Sequence, residues 1–442
     1  MARATDACNI LVLGASGLIG RYVTDDLRRR GFTAIGVARK YSPSQKASPD
    51  DLEMPLLAMD AAALARLLRE RGIDVLVNCL GVLQDGPGSD TRAVHRDVVE
   101  RLLQAIHESS RAIRFVHISI PGAASSDHTA FSLTKREAER LIETSGVNYA
   151  ILRPGFVIAP SAYGGSAMLR ALASFPADLP ATETATPFRP VAVEDIAATI
   201  AWLAERDITD EASNAVAWDL MQSEPATLGQ VIGQFRRAFG TADTTRFPMP
   251  AFLLDVGAKL GDFASRLGWM PPMRSTAIAE LRRGVTGDPT AWMAATGIAP
   301  KAFDFIGRHS ATIQDKWFAR LFLVKAVTIA SLAVFWFASG FIALFLSYDA
   351  AAAILTSHGF APALVAPVTI GTSLMDMTIG VLIAMRRTCA VGLVAGIVAS
   401  LGYMAGSALL APDLWLEPLG ALVKTGPAIV LMLVALLTLD NR

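Results

Sequence analysis

Asn9-Ile10-Leu11-Val12-Leu13-Gly14-Ala15-Ser16-Gly17-Leu18-Ile19-Gly20 decides the fold of this chain. The apolar run is that of a buried parallel strand. Three glycines at intervals of three then lead into an amphipathic helix that ends near Gly31. Gly14 permits the tight turn out of the strand, Gly17 lets backbone approach a pyrophosphate, and Gly20 lets the helix pack on the sheet. The helix N-terminus offers unpaired N–H groups and the positive end of its dipole to phosphates. A strand before and a helix after give the glycines the context that a bare spacing lacks. Gly14, Ala15, Ser16, Gly17, Leu18, Ile19 and Gly20 are therefore the candidate phosphate-binding residues.

Working outward, the pattern alternates. Strands are predicted at Thr33–Ala38, Pro55–Met59, Asp74–Cys79, Arg114–Ile118 and Asn148–Leu152, with helices at Ala61–Arg71, Thr91–His107 and Thr129–Ser145. This is the signature of a Rossmann doubly wound parallel α/β sheet. The second strand ends in Arg39-Lys40. An acidic residue there bonds the ribose hydroxyls of NAD, whereas a basic pair neutralises the 2′-phosphate of NADP. The pair favours NADP(H) over NAD(H), although it also reads as two solvated loop charges.

The GxxGxxG spacing of Gly14, Gly17 and Gly20 resembles that of the extended and atypical short-chain dehydrogenase/reductase families. Those families carry a Ser and then YxxxK, in which the Tyr transfers a proton while the Lys lowers its pKa and holds the nicotinamide ribose. Here Phe131-Ser132-Leu133-Thr134-Lys135 keeps the lysine in register, and Ser119 follows the fifth strand, but phenylalanine stands in the tyrosine's place. The resemblance implies Lys135 and Ser119 as catalytic-site residues, with Lys135 also on the cofactor. Phe131 has no proton to give. Ser132 and Thr134 have no suitable pKa on their own, and His128, the remaining neighbour of a proton-carrying type, reads more often as a loop histidine without a role. The same resemblance places Asp60, and Cys79-Leu80-Gly81, beside the adenine and its ribose. Arg153-Pro154-Gly155, Val191-Ala192-Val193-Glu194-Asp195-Ile196-Ala197 and the run FSLTKREAE at 131–139 look most like the NmrA-like and complex I accessory-subunit branch. That branch commonly holds its nucleotide tightly, often without turnover.

A small substrate lobe is expected from about residue 155, with a strand at Asn214–Leu220 and a helix at Thr227–Phe239 stopped by Gly240. Ala251–Leu267 is amphipathic, fit either to lie on a membrane surface or to pack on the core. Trp269–Pro272 reads as a turn, and Asp315–Arg320 (DKWFAR) as an interfacial anchor.

The remainder is a membrane segment. The chain has 442 residues, 52% of them hydrophobic, with mean hydropathy +0.41. Only ten of its 80 charged residues fall between Leu321 and Arg442. Apolar stretches at Leu321–Leu346, Val365–Met385, Thr388–Leu410 and Trp415–Leu439 are each long enough to cross the hydrocarbon core, giving an α-helical four-span bundle. Lys316, Arg320, Arg386, Arg387 and Arg442 fall on one side, and Asp349, Asp413 and Glu417 on the other. The positive-inside rule then puts the Rossmann domain and both termini in the cytosol, at the inner (cytoplasmic) membrane. Asp376 and Lys424 are charges inside spans; they are expected to pair, either fixing helix register or forming a polar niche for a quinone-like or other lipid head group, or a proton site. The segments LMDMTIGVLIAM (374–385) and EPLGALVKTGP (417–427) resemble the DoxX-like family of four-helix membrane proteins, some of whose relatives are associated with quinone reduction.

The expected division is 1–240 for the NAD(P)-binding domain, 241–320 for a docking and membrane-interface segment, and 321–442 for the membrane bundle. Forty basic residues balance forty acidic ones, so nucleic acid is not an expected partner. Cys8, Cys79 and Cys389 have no metal-ligand spacing and read as free thiols, and no metal is expected. MARATDACN has no apolar h-region, so no cleaved signal peptide is expected. Two functions fit. One is a membrane-anchored NAD(P)-dependent oxidoreductase acting on a quinone or lipid-soluble substrate. The other is a non-catalytic NADP(H)-binding regulatory or assembly module, motivated by Phe131.

Overall fold

The computed structural model describes residues 8–42, 48–86, 88–208, 210, 213–308, 312–416 and 420–439. They form two compact units. One comprises residues up to Asp262 together with Pro271–Ala319; the other comprises Phe263–Met270 and the chain from Arg320 onward. Glu417 and Arg442, two of the charges used for membrane orientation, lie outside the described residues.

The first unit alternates strand and helix: β1 (Asn9–Leu13), α1 (Leu18–Arg29), β2 (Thr33–Ala38), β3 (Leu52–Glu53), α2 (Ala61–Glu70), β4 (Val75–Asn78), α3 (Val98–Ser109), β5 (Arg114–Ile118), α4 (Ala130–Glu143) and β6 (Asn148–Pro154). After β7 (Phe156–Ile158), α5 (Gly164–Ser174), β8 (Ala177–Asp178), α6 (Ala181–Thr184), β9 (Pro190–Ala192) and α7 (Val193–Ala204), β10 (Val216–Leu220) returns to the sheet. Its order is β10-β6-β5-β4-β1-β2-β3, with every pairing parallel. Order reverses between β1 and β4, which opens the crevice where doubly wound sheets bind ligands. Val12, Val77, Val116 and Leu152 pack on one face against α1 and α7, while Leu11, Leu76 and Phe115 pack on the other against α2, α3 and α4.

Two elements depart from the sequence pattern. The strand expected at 55–59 is a single 3-10 turn, Leu56–Ala58, and only Leu52–Glu53 pairs with β2. Pro55 has no N–H to give to a ladder. The helix expected from Thr91 opens with a π-turn, Ala93–Asp97, in which His95 is 1% exposed.

A further core is built on α5, with α8 (Leu228–Ala238), β11 (Phe247–Pro248), α9 (Ala251–Arg266), α10 (Ser275–Arg283), α11 (Thr290–Thr296) and α12 (Phe305–Arg308) following. Leu169, Leu172, Leu228, Val231 and Phe235 belong to it.

The second unit holds α13 (Ile313–Phe341, of which residues from Arg320 belong here), α14 (Tyr348–Ser357), α15 (Pro362–Ala384), α16 (Cys389–Leu410) and α17 (Ala421–Leu437). With the π-turn that extends α13 to Leu346, three described helices are long and apolar enough to cross a membrane. The fourth expected span is shorter. Pro412–Leu416 is a 3-10 turn, and α17 has 17 residues, about 25 Å at 1.5 Å per residue. The predicted turn at Trp269 has a partner: its indole N–H donates to the Ala384 carbonyl at 2.7 Å, and Arg386 stacks over its ring. The Arg386 N–H donates to the Leu267 carbonyl at 3.0 Å, which seats this short segment on the C-terminal end of α15.

Candidate functional site: a dinucleotide crest with a buried lysine

At the carboxyl end of β1 the backbone turns at Gly14, whose φ of 78° is one a side chain resists. The Gly14 and Ala15 N–H groups both donate to the Val37 carbonyl, at 2.9 and 3.1 Å, and Gly17 N–H donates to the Gly14 carbonyl at 2.9 Å. A Cβ on Gly20 would run into that same carbonyl. Gly17 is the N-cap of α1 and provides no side-chain cap, so the first-turn N–H groups remain for a ligand. Arg39 and Lys40 are exposed beyond β2. Asp60 caps α2, accepting from the Ala63 N–H at 2.8 Å.

Lys135 is 4% exposed on α4. Its ammonium donates to the Ile118 carbonyl at 2.8 Å and the Leu80 carbonyl at 3.2 Å, joining the ends of β4 and β5. An ammonium has three protons, so one remains. Gly81 lies alongside: a Cβ there would be 3.8 Å from the Lys135 nitrogen. Burial pulls the Lys135 pKa down to about 8, against the opposing influence of Cys79 and Glu139. The Cys79 thiol is pushed up to about 12 by burial, with Lys135 opposing. The glycine cradle, the uncapped helix end and the remaining lysine proton together fit a nicotinamide dinucleotide.

Around the lysine lies a polar belt that the sequence reading did not single out. Asn78 donates to His117 Nδ1 at 3.1 Å and accepts from the Leu80 N–H at 3.1 Å. His95 Nε2 accepts from the Val82 N–H at 3.1 Å, which leaves Nδ1 to donate to Thr134 Oγ1 at 2.8 Å. Burial, then the Lys135 charge, lowers the His95 pKa to about 2, so the ring stays neutral.

Phe131 meets His95 edge-on, with ring centroids 5.5 Å apart. No neighbour considered from the sequence replaces the missing phenol. Ser132 and Thr129 form the capping box of α4. Thr134 gives its proton to the Ala130 carbonyl at 2.7 Å. His128 is exposed. Ser119 is 5% exposed at the end of β5, with its N–H on the Leu152 carbonyl at 2.7 Å.

The loop after β5 is tied down by ions. Asp127 accepts from Arg136 at 2.9 Å and from Arg283 of α10 at 2.7 Å. Arg136 reaches on to Glu139, which Arg153 holds at 2.9 and 2.8 Å. Burial pushes the Glu139 carboxyl up, but the hydrogen bonds of Arg153 and the charges of Arg153 and Arg136 hold it below the usual range. Arg274, just before α10, donates to the Asp85 carbonyl at 2.7 Å. The two ends of α10 thus grip the loops that follow β4 and β5.

In the second unit Asp376 is buried in α15. Its carboxylate accepts from Tyr403 of α16 at 2.7 Å and from Ser339 of α13 at 3.4 Å. Lys424 is exposed on α17, and among the described residues no ion pair joins it to Asp376. Hydroxyls from two neighbouring helices take the place of the expected charge pair. The described residues contain no group of three or more potential metal ligands.

Comparison with known proteins agrees with both halves. The NAD dependent epimerase/dehydratase family matches residues 10–215, and the DoxX-like family matches residues 333–433. The dTDP-6-deoxy-L-talose 4-dehydrogenase (NAD(P)(+)) of Kitasatospora kifunensis is 27% identical over 199 residues, covering 41% of this chain and 62% of the relative. The mitochondrial NADH-ubiquinone oxidoreductase 40 kDa subunit of Neurospora crassa is 26% identical over 188 residues, covering 42% and 49%. The chain therefore spans about half to three-fifths of the length of these curated relatives. Among solved structures, UDP-glucose 4-epimerase of Thermotoga maritima with UDP-glucose superposes with TM-score 0.51 at 16% identity, covering 68% of this chain and 98% of that one. UDP-glucuronic acid 4-epimerase of Bacillus cereus, with UDP-glucuronic acid and NAD, gives 0.51 at 15%, covering 71% and 99%. At such identities the likeness is one of fold. The N-terminal part of this chain is an NAD-dependent epimerase/dehydratase-type Rossmann domain, and it is fused to a C-terminal DoxX-like domain of apolar, membrane-capable helices.

Proposed function

We propose that the protein is a membrane-anchored NAD(P)-dependent oxidoreductase that passes a hydride to or from a lipid-soluble, quinone-type partner, with NADP(H) preferred. The observation that carries the reading is Lys135, buried with one proton unspent, beside an aromatic ring that has none. When bound, a nicotinamide ring supplies or receives the hydride. Gly14, Gly17 and the first turn of α1 hold the pyrophosphate, Arg39 and Lys40 meet a 2′-phosphate, and Lys135 holds the nicotinamide ribose. Phe131 excludes water and gives no proton. Reduction of a sugar ketone needs an acid at the carbonyl oxygen. A quinone leaves a delocalised phenolate-type anion, with a pKa near 10 for a phenol, and manages without one. The relatives above act on nucleotide sugars or belong to a ubiquinone-linked complex by name, and Phe131 favours the second kind of chemistry.

Lys316, Arg320, Arg386 and Arg387 against Asp349 and Asp413 support a cytosolic Rossmann domain at the inner membrane. The division at residues 240 and 320 belongs to the same proposal. Phe131 also favours a second reading, a nucleotide-binding regulatory or assembly module without turnover.

The test is binding of NADPH and NADH to the full chain in detergent, followed by oxidation on adding a short-chain quinone. Tighter NADPH binding with quinone-dependent oxidation supports the oxidoreductase. Tight binding with no oxidation by any quinone supports the module, and no binding of either nucleotide overturns both.

A further inference from the structure

The membrane unit contains a cavity of about 310 Å³ between α14, α15 and α16, within the size range of small-molecule sites. Its walls are mostly apolar, with Ile354, Leu355, Phe360, Val368 and Leu410 among them. Its polar groups are hydroxyls and the His358 imidazole, and each hydroxyl has its proton engaged. Thr369, Thr372 and Ser373 donate to the carbonyls of Val365, Val368 and Thr369 at 2.8, 2.8 and 2.7 Å. Ser407 donates to the Met404 carbonyl at 3.0 Å, and Tyr403 donates to the buried Asp376 carboxylate at 2.7 Å. His358, also in the lining, has both ring nitrogens engaged, on the Ile354 carbonyl and on Asp413. Hydroxyl oxygens keep acceptor capacity after donating. The side chains that line this hole therefore offer lone pairs and no spare protons.

We propose that this cavity binds a neutral amphiphile that donates a hydrogen bond: an apolar body carrying a hydroxyl, of the phenol or quinol class. Tyr403 is the acceptor for that hydroxyl, polarised by its own bond to Asp376, and the apolar wall takes the body. An ether or quinone of the same shape brings only acceptors and leaves lone pairs facing lone pairs, a mismatch that a low-dielectric site penalises. Space is provided by Gly402 and Gly406 of α16, where an added Cβ would meet nothing within 4 Å. The inference goes beyond the proposed function and does not rest on it, because binding needs no nucleotide and the lining reaches His358 and Asp413, on the side of the bundle opposite Arg386 and Arg387.

The experiment uses the full chain in lipid nanodiscs without nucleotide, with 4-pentylphenol and its methyl ether 4-pentylanisole as probes in equilibrium dialysis against empty nanodiscs. Saturable binding of the phenol, about tenfold or more tighter than the ether, is the expected result. Gly406→Leu and, separately, Gly402→Leu place a side chain in the hole and should abolish it, with helical content and particle mass unchanged. Equal binding of phenol and ether overturns the proposal, as does tighter binding of pentylamine than of the phenol. Loss of binding in the leucine variants that comes with a change in oligomeric mass also overturns it, since the glycines would then serve a helix–helix contact. Failure of quinone-dependent NADPH oxidation leaves these outcomes untouched and counts only against the proposed function.

Discussion

Lys135 carries a charge where few charges survive. Its folded pKa of about 8 lies below the ordinary lysine value of 10.5, so the sign is the reverse of a lysine that gains a partner. As pH rises from about 8 toward 10.5 the unfolded chain holds more protons, and this group's cost to folding is relieved. Ligand binding runs the other way. The charge that the proposed function sets on the nicotinamide ribose is present below about pH 8 and lost above it, so nucleotide affinity is expected to fall through that pH. Lys135→Met should weaken binding about tenfold or more and flatten that pH dependence, as read by a fluorescence titration across it. Phe131 invites the opposite experiment. Phe131→Tyr places a phenol beside Lys135 and should create NADPH-dependent reduction of a simple aldehyde that the parent lacks, measured by loss of nucleotide absorbance. The positions of the glycines, the lysine and the phenylalanine were legible because each residue type stands at a fixed spacing from the strand or helix that carries it. Asn78, His95 and His117 were not, because their roles exist only where β4, β5, the π-turn and α4 converge. Asp376 was legible as a buried charge, but its partners Tyr403 and Ser339 were not, since hydroxyls are common in spans.

At the level of elements, α10 depends on a carboxylate shared between two guanidinium groups. Asp127 is 1% exposed in its side chain, and Arg136 and Arg283 are each 8% exposed. Asp127→Ala takes the shared carboxylate from both arginines, leaving Arg136 on Glu139 and Arg283 on the Pro121 carbonyl, and should cost more than Arg283→Ala, which leaves Asp127 paired with Arg136. Thermal unfolding of the detergent-solubilised chain orders the two. Long periodic elements were readable because a repeat of apolar residues survives any tertiary context: β2 and β5 run as expected, and α2, α4 and α8 differ only at their ends. The failures have local causes. Pro55 denied a strand its hydrogen bond, and the π-turn at Ala93–Asp97 inserts a residue that helical spacing does not announce. The end of α9 was read as a simple turn because a tryptophan before two prolines carries no sign of its acceptor, the distant Ala384 carbonyl.

The whole molecule joins a nucleotide-type domain to a bundle whose buried charge has hydroxyls for company. Trp269 is the residue through which the order of the sequence and the order of the fold part company. Trp269→Ala removes a hydrogen bond and a ring from the end of α15, and should lower the midpoint of membrane-unit unfolding, followed by tryptophan-independent circular dichroism, by a few degrees. Because Phe263–Met270 packs with residues that come more than a hundred positions later, the chain passes between its two units three times. A single protease cut near residue 320 is therefore a nick. It severs the covalent path but leaves the N-terminal fragment fastened to the membrane by the Trp269 plug, and only a second cut or detergent denaturation releases it. A version made by stopping the chain at residue 319 would carry that plug with its socket removed, an apolar tongue that calls for redesign before the nucleotide-type domain can be studied in water.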